Sequence, residues 1–459
     1  MYETIFHGLH LPFLSKPCSF PKMSSIALES TPWYTELLAA YPDLVAPAQP
    51  KSSAFLDTLL SATNATVLTA PRYYYSHSSR VICTAFDHGP QAAGHIGIAF
   101  GGIQGFVLDE LVAMLFHARA AEIGSSSSDD GKSNDLKDID LSRGPFEAIT
   151  SSLSLTYRKP LPVGPRVLAI AELVYDDDGD DSSSKGNPRQ LTARLWLRDG
   201  PSGAVWTEGI ATGIVIPKTH LSRYREASPS APLAQSMGQQ LATSELVPVN
   251  GSSTAPWLPA YLAHHRDLAA EEYPLDRMQK NHFIRRAILD HRTKSTVGVL
   301  GYYTSDSTDP HFALVLRIGN GLDGKPGIAH SGAIFAVTDY FIFSIMSVLF
   351  RSLEKHQRAW AEKGIDVNQI LQQSRSVTAT MRLDYHRPIP ADATVLFEVS
   401  FGGFSHGGRR ARMTAVMRAA PDSPPLVTLN ALVAFVSPQR LVNARQPASD
   451  IVDIAPPRL

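Results

Sequence analysis

Cysteine is almost missing from this chain, whose 459 residues include only Cys18 and Cys83. Two cysteines exclude a disulfide-rich scaffold and a zinc module built from several thiolates, and they fit a reducing compartment. An excess of either charge is missing too, because 42 Lys and Arg residues stand against 43 Asp and Glu residues. This balance argues against a general surface for nucleic acid or anionic membranes.

Long uncharged apolar runs are also absent. A membrane-spanning helix needs about 18–20 consecutive apolar residues, and the longest candidate, 333–350, is interrupted by Thr338 and Asp339. Residues 1–25 show no compact apolar run followed by a small-residue cleavage site, and Pro457 stands where a peroxisomal tripeptide has a small residue. We expect a cytoplasmic protein without a membrane span, with mitochondrial or peroxisomal targeting as weaker alternatives.

The chain is an internal duplication. The sequence GIAFGGI at 97–103 precedes Asp109, and GIAHSGAI at 327–334 precedes Asp339. Phe100 and His330, which occupy the same place in these segments, each precede the aspartate by nine residues. A second pair follows in the same order, LTYRKPLP at 155–162 and LDYHRPIP at 383–390. Matches in one order at nearly one offset indicate a duplicated unit.

Each copy predicts one long helix and about five strands. The apolar helices are expected at Gly102–Ala121 and Gly332–Phe350. Strands with β-branched and aromatic residues are expected at Arg80–Phe86, Ile149–Tyr157, Arg166–Tyr175, Gln190–Leu197 and Val205–Ile216, and at His311–Ile318, Ser376–Tyr385, Thr394–Phe401, Arg409–Arg418 and Leu426–Val436. Strands that run consecutively after a helix favour the α+β class with an antiparallel sheet.

The predicted organisation follows from the duplication. Residues 1–74 form a partly helical extension, with helix within Trp33–Leu60, and 75–217 form the first repeat, with polar loop insertions at about 124–140 and 176–187. Residues 218–299 form a linker, with helices near Trp257–Ala270 and Arg277–Leu289. Residues 300–438 form the second repeat, and 439–459 form a tail.

The two apolar helices each carry an aspartate at the same register, Asp109 and Asp339. A helix that is apolar all round is buried, and an unpaired buried carboxylate is costly. Each aspartate is therefore expected to have a partner or a role in the chemistry. It either fixes the packing of a neighbouring helix N-terminus or takes part in a reaction.

These motifs resemble the hotdog-fold acyl-CoA thioesterases, in particular the phenylacetate-type, PaaI-like branch. The resemblance rests on a Gly-x-x-His-Gly-Gly-type turn, an Asp nine residues after the His, and a strand ending in Tyr-x-x-Pro-x-Pro, found twice. It implies two tandem hotdog folds, each with an antiparallel sheet wrapped around a central helix, that form a pseudo-dimer within one chain. Family members build each active site across the dimer interface, with the Asp of one helix facing the His-Gly-Gly turn of the other.

Transferred residue by residue, the resemblance implies two unequal sites. One combines Asp109 with His330, Ser331 and Gly332, where Ser331 replaces a Gly of the family turn. Some relatives place a hydroxyl residue seven positions before the strand Tyr, which is Thr150 here.

The second implied site is impaired. It combines Asp339 with Gly101, Gly102 and Thr378, and it has Phe100, which cannot donate a hydrogen bond, in place of the His. Some relatives also have an Asn six residues before the His, where this chain has Gly324.

Three functions stay open from the sequence. The first is hydrolysis of an acyl thioester, with CoA only as part of the substrate and no cofactor or metal. The second is another acid–base reaction in specialised metabolism, such as isomerisation or dehydration, and the third is acyl binding without catalysis. Arg158 and Arg387 are candidates to bind CoA phosphates, although solvated charges at strand ends are the simpler explanation. The expected partner is an acyl thioester and not a nucleic acid, with a homodimer of double hotdogs as an option. His406-Gly407-Gly408 copies the motif but is expected to be a hairpin turn.

Overall fold

The computed structural model describes residues 27–46, 68–69, 71–89, 92–95, 97–125, 145–176, 189–219, 255–265, 268–271, 296–304, 311–325, 327–373, 375–437 and 439. The expected helix at Arg277–Leu289, the terminal tail after residue 439 and most of both polar insertions lie outside these residues.

The secondary structure follows the duplicated order. The helices are α1 (Tyr34–Ala40), α2 (Gly101–Ser125), α3 (Leu258–His264), α4 (Ser331–Lys355), α5 (Gln357–Glu362) and α6 (Val367–Gln372). The strands of the first half are β1 (Tyr74–Ser76), β2 (Val81–Asp87), β3 (Ala93–His95), β4 (Ile98–Ala99), β5 (Phe146–Tyr157), β6 (Arg166–Asp176), β7 (Arg189–Arg198) and β8 (Val205–Pro217). Those of the second half are β9 (Leu268–Glu271), β10 (Thr296–Thr304), β11 (His311–Ile318), β12 (Asp323–Lys325), β13 (Ile328–Ala329), β14 (Arg375–Tyr385), β15 (Thr394–Ser405), β16 (Arg410–Arg418) and β17 (Val427–Val436).

Thirteen of the described strands form one antiparallel sheet. Its order is β1-β2-β6-β7-β8-β5-β14-β17-β16-β15-β11-β10-β9, so the halves mirror each other about the junction of β5 and β14. At this junction Leu153 lies opposite Leu383. The two repeats therefore join edge to edge, as the sequence predicts.

The two long helices form the centre of the protein. Helix α2 packs against β2 and β5–β8, and α4 packs against β11, β14 and β15. Their apolar side chains belong to one buried core that spans both repeats. This arrangement, an antiparallel sheet around a central helix and present twice, is a tandem pair of hotdog folds of the α+β class.

Some elements differ from the sequence-based expectation. The sheet of the second repeat extends outside 300–438, because β10 begins at Thr296 and β9 lies at Leu268–Glu271. The helix expected over Trp257–Ala270 ends at His264, since β9 follows it and pairs with β10. In contrast, His406 and the two following glycines have positive φ values between β15 and β16, which confirms the hairpin turn.

Helix α4 is the one described helix that is long and apolar enough to cross a membrane. Within that apolar window, 81% is buried inside the protein, as the central position of α4 in this fold requires.

Candidate active site

The two central helices approach so closely that a side chain larger than glycine would collide at their first turns. A Cβ atom on Gly332 would lie 3.0 Å from Phe106 Cα and 3.0 Å from Asp109 Cβ. At the matching position, a Cβ atom on Gly102 would lie 2.8 Å from Ala336 Cα. The start of each helix thus lies against the second and third turns of the other, so the helices are antiparallel and each buried aspartate faces a helix N-terminus.

Asp109 is fully buried, and residues of the other repeat contact its carboxylate. Ser331 Oγ donates a hydrogen bond to Asp109 Oδ2 at 2.6 Å, and His330 Nδ1 lies 3.5 Å from the same oxygen. The other oxygen, Oδ1, has no hydrogen-bond partner in the described part of the chain. One carboxylate oxygen is therefore held in place while the other can accept a proton.

The charge state of Asp109 is set by opposing influences. Burial raises the pKa of the carboxyl group above its ordinary value, and the neighbouring Glu110 adds to that increase. His330, Ser331 and Thr150 lower the same pKa, because they interact favourably with the ionised form. A carboxyl group with a raised pKa is suited to accept a proton near neutral pH.

His330 caps helix α4. Its backbone is extended, and its Nδ1 atom accepts a hydrogen bond from the backbone N–H of Gly332 at 3.0 Å. Because Nδ1 accepts, a neutral ring carries its proton on Nε2. That nitrogen lies 3.0 Å from Oε1 of Glu110, a residue that lies outside the motifs recognised in the sequence.

The second aspartate has a different environment. Thr378 Oγ1 donates to Asp339 Oδ1 at 2.6 Å. Burial raises the pKa of Asp339 to about 7, although Thr378 and the backbone N–H of Gly102 act to lower it. Phe100 is buried where His330 caps the other helix, and its ring atom Cε1 would lie 2.4 Å from a Cβ atom on Gly102. An aromatic ring therefore covers the start of α2 and offers no hydrogen-bond donor.

A β-bulge orients the two candidate threonines. Thr150 and Tyr157 lie seven residues apart on β5, as do Thr378 and Tyr385 on β14, and in a regular strand such residues face opposite sides. The strand register shifts directly after Thr150 and directly after Thr378. The extra residue brings each buried threonine to the face that packs on the central helix.

The motif tyrosines hold the helix starts from within the same repeat. Tyr157 donates from its hydroxyl to the carbonyl oxygen of Gly101 at 3.0 Å, and Tyr385 donates to that of Ser331 at 2.8 Å. Burial raises the pKa of both phenols well above the ordinary value. Both therefore stay neutral donors that fix the turn preceding the aspartate.

The two candidate arginines lie at strand ends rather than in the core. Arg158 forms an ion pair with Glu208 at the surface, and Arg387 is exposed. The described residues contain no group of three or more His, Cys, Asp or Glu side chains arranged to hold a metal ion.

Comparisons with known proteins find similar solved structures, but only at low sequence identity and low TM-score. No protein-family model matches this chain, and no curated protein matches it. Among solved structures, a TesB protein of Mycobacterium avium subs paratuberculosis is 9% identical with a TM-score of 0.36, over 77% of this chain and 92% of that chain. A conserved protein with a hotdog fold from Alicyclobacillus acidocaldarius is 13% identical with a TM-score of 0.37, over 83% and 98%. An acyl-ACP thioesterase from Bacteroides thetaiotaomicron is 8% identical with a TM-score of 0.37, over 78% and 98%.

Similarity at this level says nothing about the reaction or substrate of this chain. The fold assignment rests on the sheet topology and on the two central helices, and any function rests on the chemistry of the site.

Proposed function

We propose that this chain hydrolyses an acyl thioester, carried by CoA or by a carrier protein, at the site between the two repeats. One observation carries the proposal: Ser331 and His330, at the start of one central helix, converge on the buried carboxylate of Asp109 on the other. A helix N-terminus beside a carboxylate combines an electrophilic element with a base. We also propose that the chain is related to the PaaI-like branch of hotdog-fold thioesterases, which its sequence motifs resemble.

The reaction needs two events that this geometry supports. Backbone N–H groups at the start of α4 polarise the thioester carbonyl and stabilise the negative charge that develops on its oxygen. Asp109 accepts a proton from water as the water oxygen attacks the carbonyl carbon. The C–S bond then breaks, and the thiolate leaves and takes up a proton. Direct attack by the Asp109 carboxylate, with hydrolysis of the resulting anhydride, is the nucleophilic variant of this scheme.

The proposal assigns hydrolysis to one of the two sites. The Asp339 site retains a buried carboxylate and a hydroxyl partner, Thr378, but the Phe100 ring covers its helix start. A substrate carbonyl there would meet an aromatic ring rather than hydrogen-bond donors. We therefore assign Asp339 a structural part.

The test is thiol release from a panel of acyl-CoA and acyl-carrier substrates, from short to long chains and including aryl acids. We expect release from at least one substrate, and loss of that release in Asp109→Asn. Saturable binding of acyl-CoA without thiol release by the wild type would contradict hydrolysis and support acyl binding.

A second candidate is another acid–base reaction on an acyl thioester, such as isomerisation or dehydration. It is favoured by Gly324, which stands where some relatives have an Asn. Glycine has no side-chain amide that could position the attacking water. The adjacent Asp323 does not supply an amide donor either, and its Oδ2 accepts the N–H of Gly327 at 3.2 Å within the β12–β13 turn. Product analysis by mass spectrometry separates the two: a rearranged thioester with CoA still attached would favour this candidate.

A further inference from the structure

We propose that Glu110 is a positioning residue of this site, which orients the imidazole of His330 and controls whether that ring is protonated. The effect of Glu110 on catalysis rests on the proposed function, whereas the pairing of Glu110 with His330 does not. Glu110, His330 and Asp109 would then act as one unit built from both repeats.

The pairing is buried and direct. Glu110 Oε1 lies 3.0 Å from His330 Nε2, and the two residues are 7% and 8% exposed. The ring of Phe106 packs beside the imidazole, with centroids 5.4 Å apart. In such a low-dielectric setting a carboxylate has a strong effect on a nearby imidazole.

Comparison of the repeats shows that the Glu110–His330 pair is present in one site, whereas both of its residues are replaced in the other site. Phe100 matches His330, and Tyr340 matches Glu110, each 230 residues away. Asp109 and Asp339 are retained, as are Thr150 and Thr378. Loss of the acid together with its imidazole, while the other groups persist, is expected if the two residues serve one purpose.

The charged groups that act on the imidazole come from two elements, α2 and β12. Burial lowers the pKa of His330, but Glu110 and Asp109 on α2 raise it more, so the net direction is upward. Lys325 on β12 acts weakly against them and forms an ion pair with Glu147 on β5.

Two phenols complete the surroundings of this acid–imidazole group. Tyr73 lies near Glu110, and Tyr385 lies near Asp109. Both have a pKa well above the ordinary value because they are buried, so they remain neutral. The two phenols thus carry no charge beside the ring, and Glu110 is the group that raises the pKa of His330 most.

Protonation of His330 changes what the helix start can do. A neutral ring accepts the N–H of Gly332 at Nδ1, which occupies a donor that could otherwise polarise a carbonyl. A protonated ring has no lone pair at Nδ1, and its N–H can instead donate toward Asp109 Oδ2, 3.5 Å away. By favouring the protonated ring, Glu110 makes the Gly332 amide available to the substrate.

The first test measures the titration of His330 in the full-length, ligand-free protein. Histidine labelled with ¹³C at Cε1 gives one NMR signal per residue, and His330→Asn identifies the signal of interest. Glu110→Gln keeps a hydrogen-bond acceptor and removes the charge, so we expect the pKa of His330 to fall by about one pH unit or more. An unchanged pKa would overturn the proposal.

Glu122→Gln is the matched control. Glu122 is another buried carboxylate of α2, bonded to Tyr75 and Arg119, and it lies about 18 Å further along the helix. Its substitution should leave the His330 titration in place, and an equal shift in both variants would also overturn the proposal. If Glu110→Gln does not fold, Glu110→Asp replaces it, and the pKa of His330 should fall by a smaller amount; no fall would contradict the proposal.

The second test is the pH dependence of kcat/KM on an active thioester. Activity requires ionised Asp109 and protonated His330, and Glu110 raises the pKa of both. Both limbs of the profile should therefore move to lower pH in Glu110→Gln, which a simple loss of packing would not produce. A shifted titration without any thioester hydrolysis would remove the proposed function and leave the pairing standing, whereas hydrolysis with an unshifted titration would remove the pairing alone.

Discussion

Ser331 Oγ donates a hydrogen bond of 2.6 Å to Asp109 Oδ2, although 222 residues separate them in the chain. The contact joins a helix start of the second repeat to the helix centre of the first. It exists because the repeats pair through β5 and β14, which sets the central helices side by side and antiparallel. The site therefore depends on both repeats and cannot form in either one alone.

Ser331→Ala tests this hydrogen bond. The Ser331 hydroxyl lowers the pKa of Asp109 by stabilising the carboxylate, so its loss should raise that pKa. Because activity needs ionised Asp109, the low-pH limb of the kcat/KM profile should move to higher pH by about one pH unit or more. The measurement is kcat/KM across the acidic and neutral pH range. Thr378→Val, which removes the matching donor to Asp339, should leave the low-pH limb of kcat/KM unchanged. A shift of this limb in Thr378→Val, or no shift in Ser331→Ala, would contradict the assignment of this limb to Asp109.

Gly332→Ala and Gly102→Ala form a matched pair. Alanine favours a helix over glycine by about 1 kcal/mol, but at both positions the added Cβ atom meets the opposing helix within 3.0 Å. Both variants should therefore lower the thermal midpoint.

Only Gly332→Ala should also remove activity, because it displaces the turn that faces Asp109. Thiol release and a thermal melt on both variants check this pair. Equal loss of turnover in the two variants would show that the Asp339 site contributes to the reaction.

Asp339→Asn should change how stability depends on pH. The pKa of Asp339 is about 7 in the folded protein, against an ordinary value of 3.8, so the folded state binds more protons between these values. Wild-type stability attributable to this group is present below about pH 4 and is lost as pH rises toward 7.

The variant lacks this titration. Its free energy of unfolding relative to the wild type should increase by on the order of 4 kcal/mol between about pH 4 and pH 7. Urea unfolding at several pH values measures it, and a difference that stays constant with pH would mean that the carboxyl group does not titrate in this range.

Local patterns were sufficient to predict most of the fold. The duplicated motifs and the apolar periodicity predicted both central helices and the five long strands of each repeat, because these patterns are visible in one dimension. The strands β9 and β10 were harder to predict, since β9 has no counterpart in the first half of the sheet and β10 matches only the short edge strand β1. The β-bulges after Thr150 and Thr378 were not predicted, although the odd spacing of seven residues to the motif tyrosine is a signal of them.

The site was predicted in part. The resemblance to the hotdog thioesterases implied that Asp109, Thr150 and the His330 turn lie together, and the structure places them side by side. Glu110 was missed because an acidic residue next to another on a helix is usually a solvated side chain. Its pairing with His330 depends on the crossing of two helices. The available signal was the contrast between Asp109-Glu110 and Asp339-Tyr340.

The assignment of the reaction to one site is tested most directly by comparing Asp109→Asn with Asp339→Asn in turnover of one active thioester, with folding of both checked by thermal melt. An amide is neither base nor nucleophile, so Asp109→Asn should lower kcat by on the order of 10²-fold or more. Asp339→Asn should leave kcat largely intact, because the Phe100 ring covers its facing helix start. Equal losses in both variants, or a loss in Asp339→Asn alone, would contradict the assignment of the reaction to the site of Asp109, His330 and Ser331.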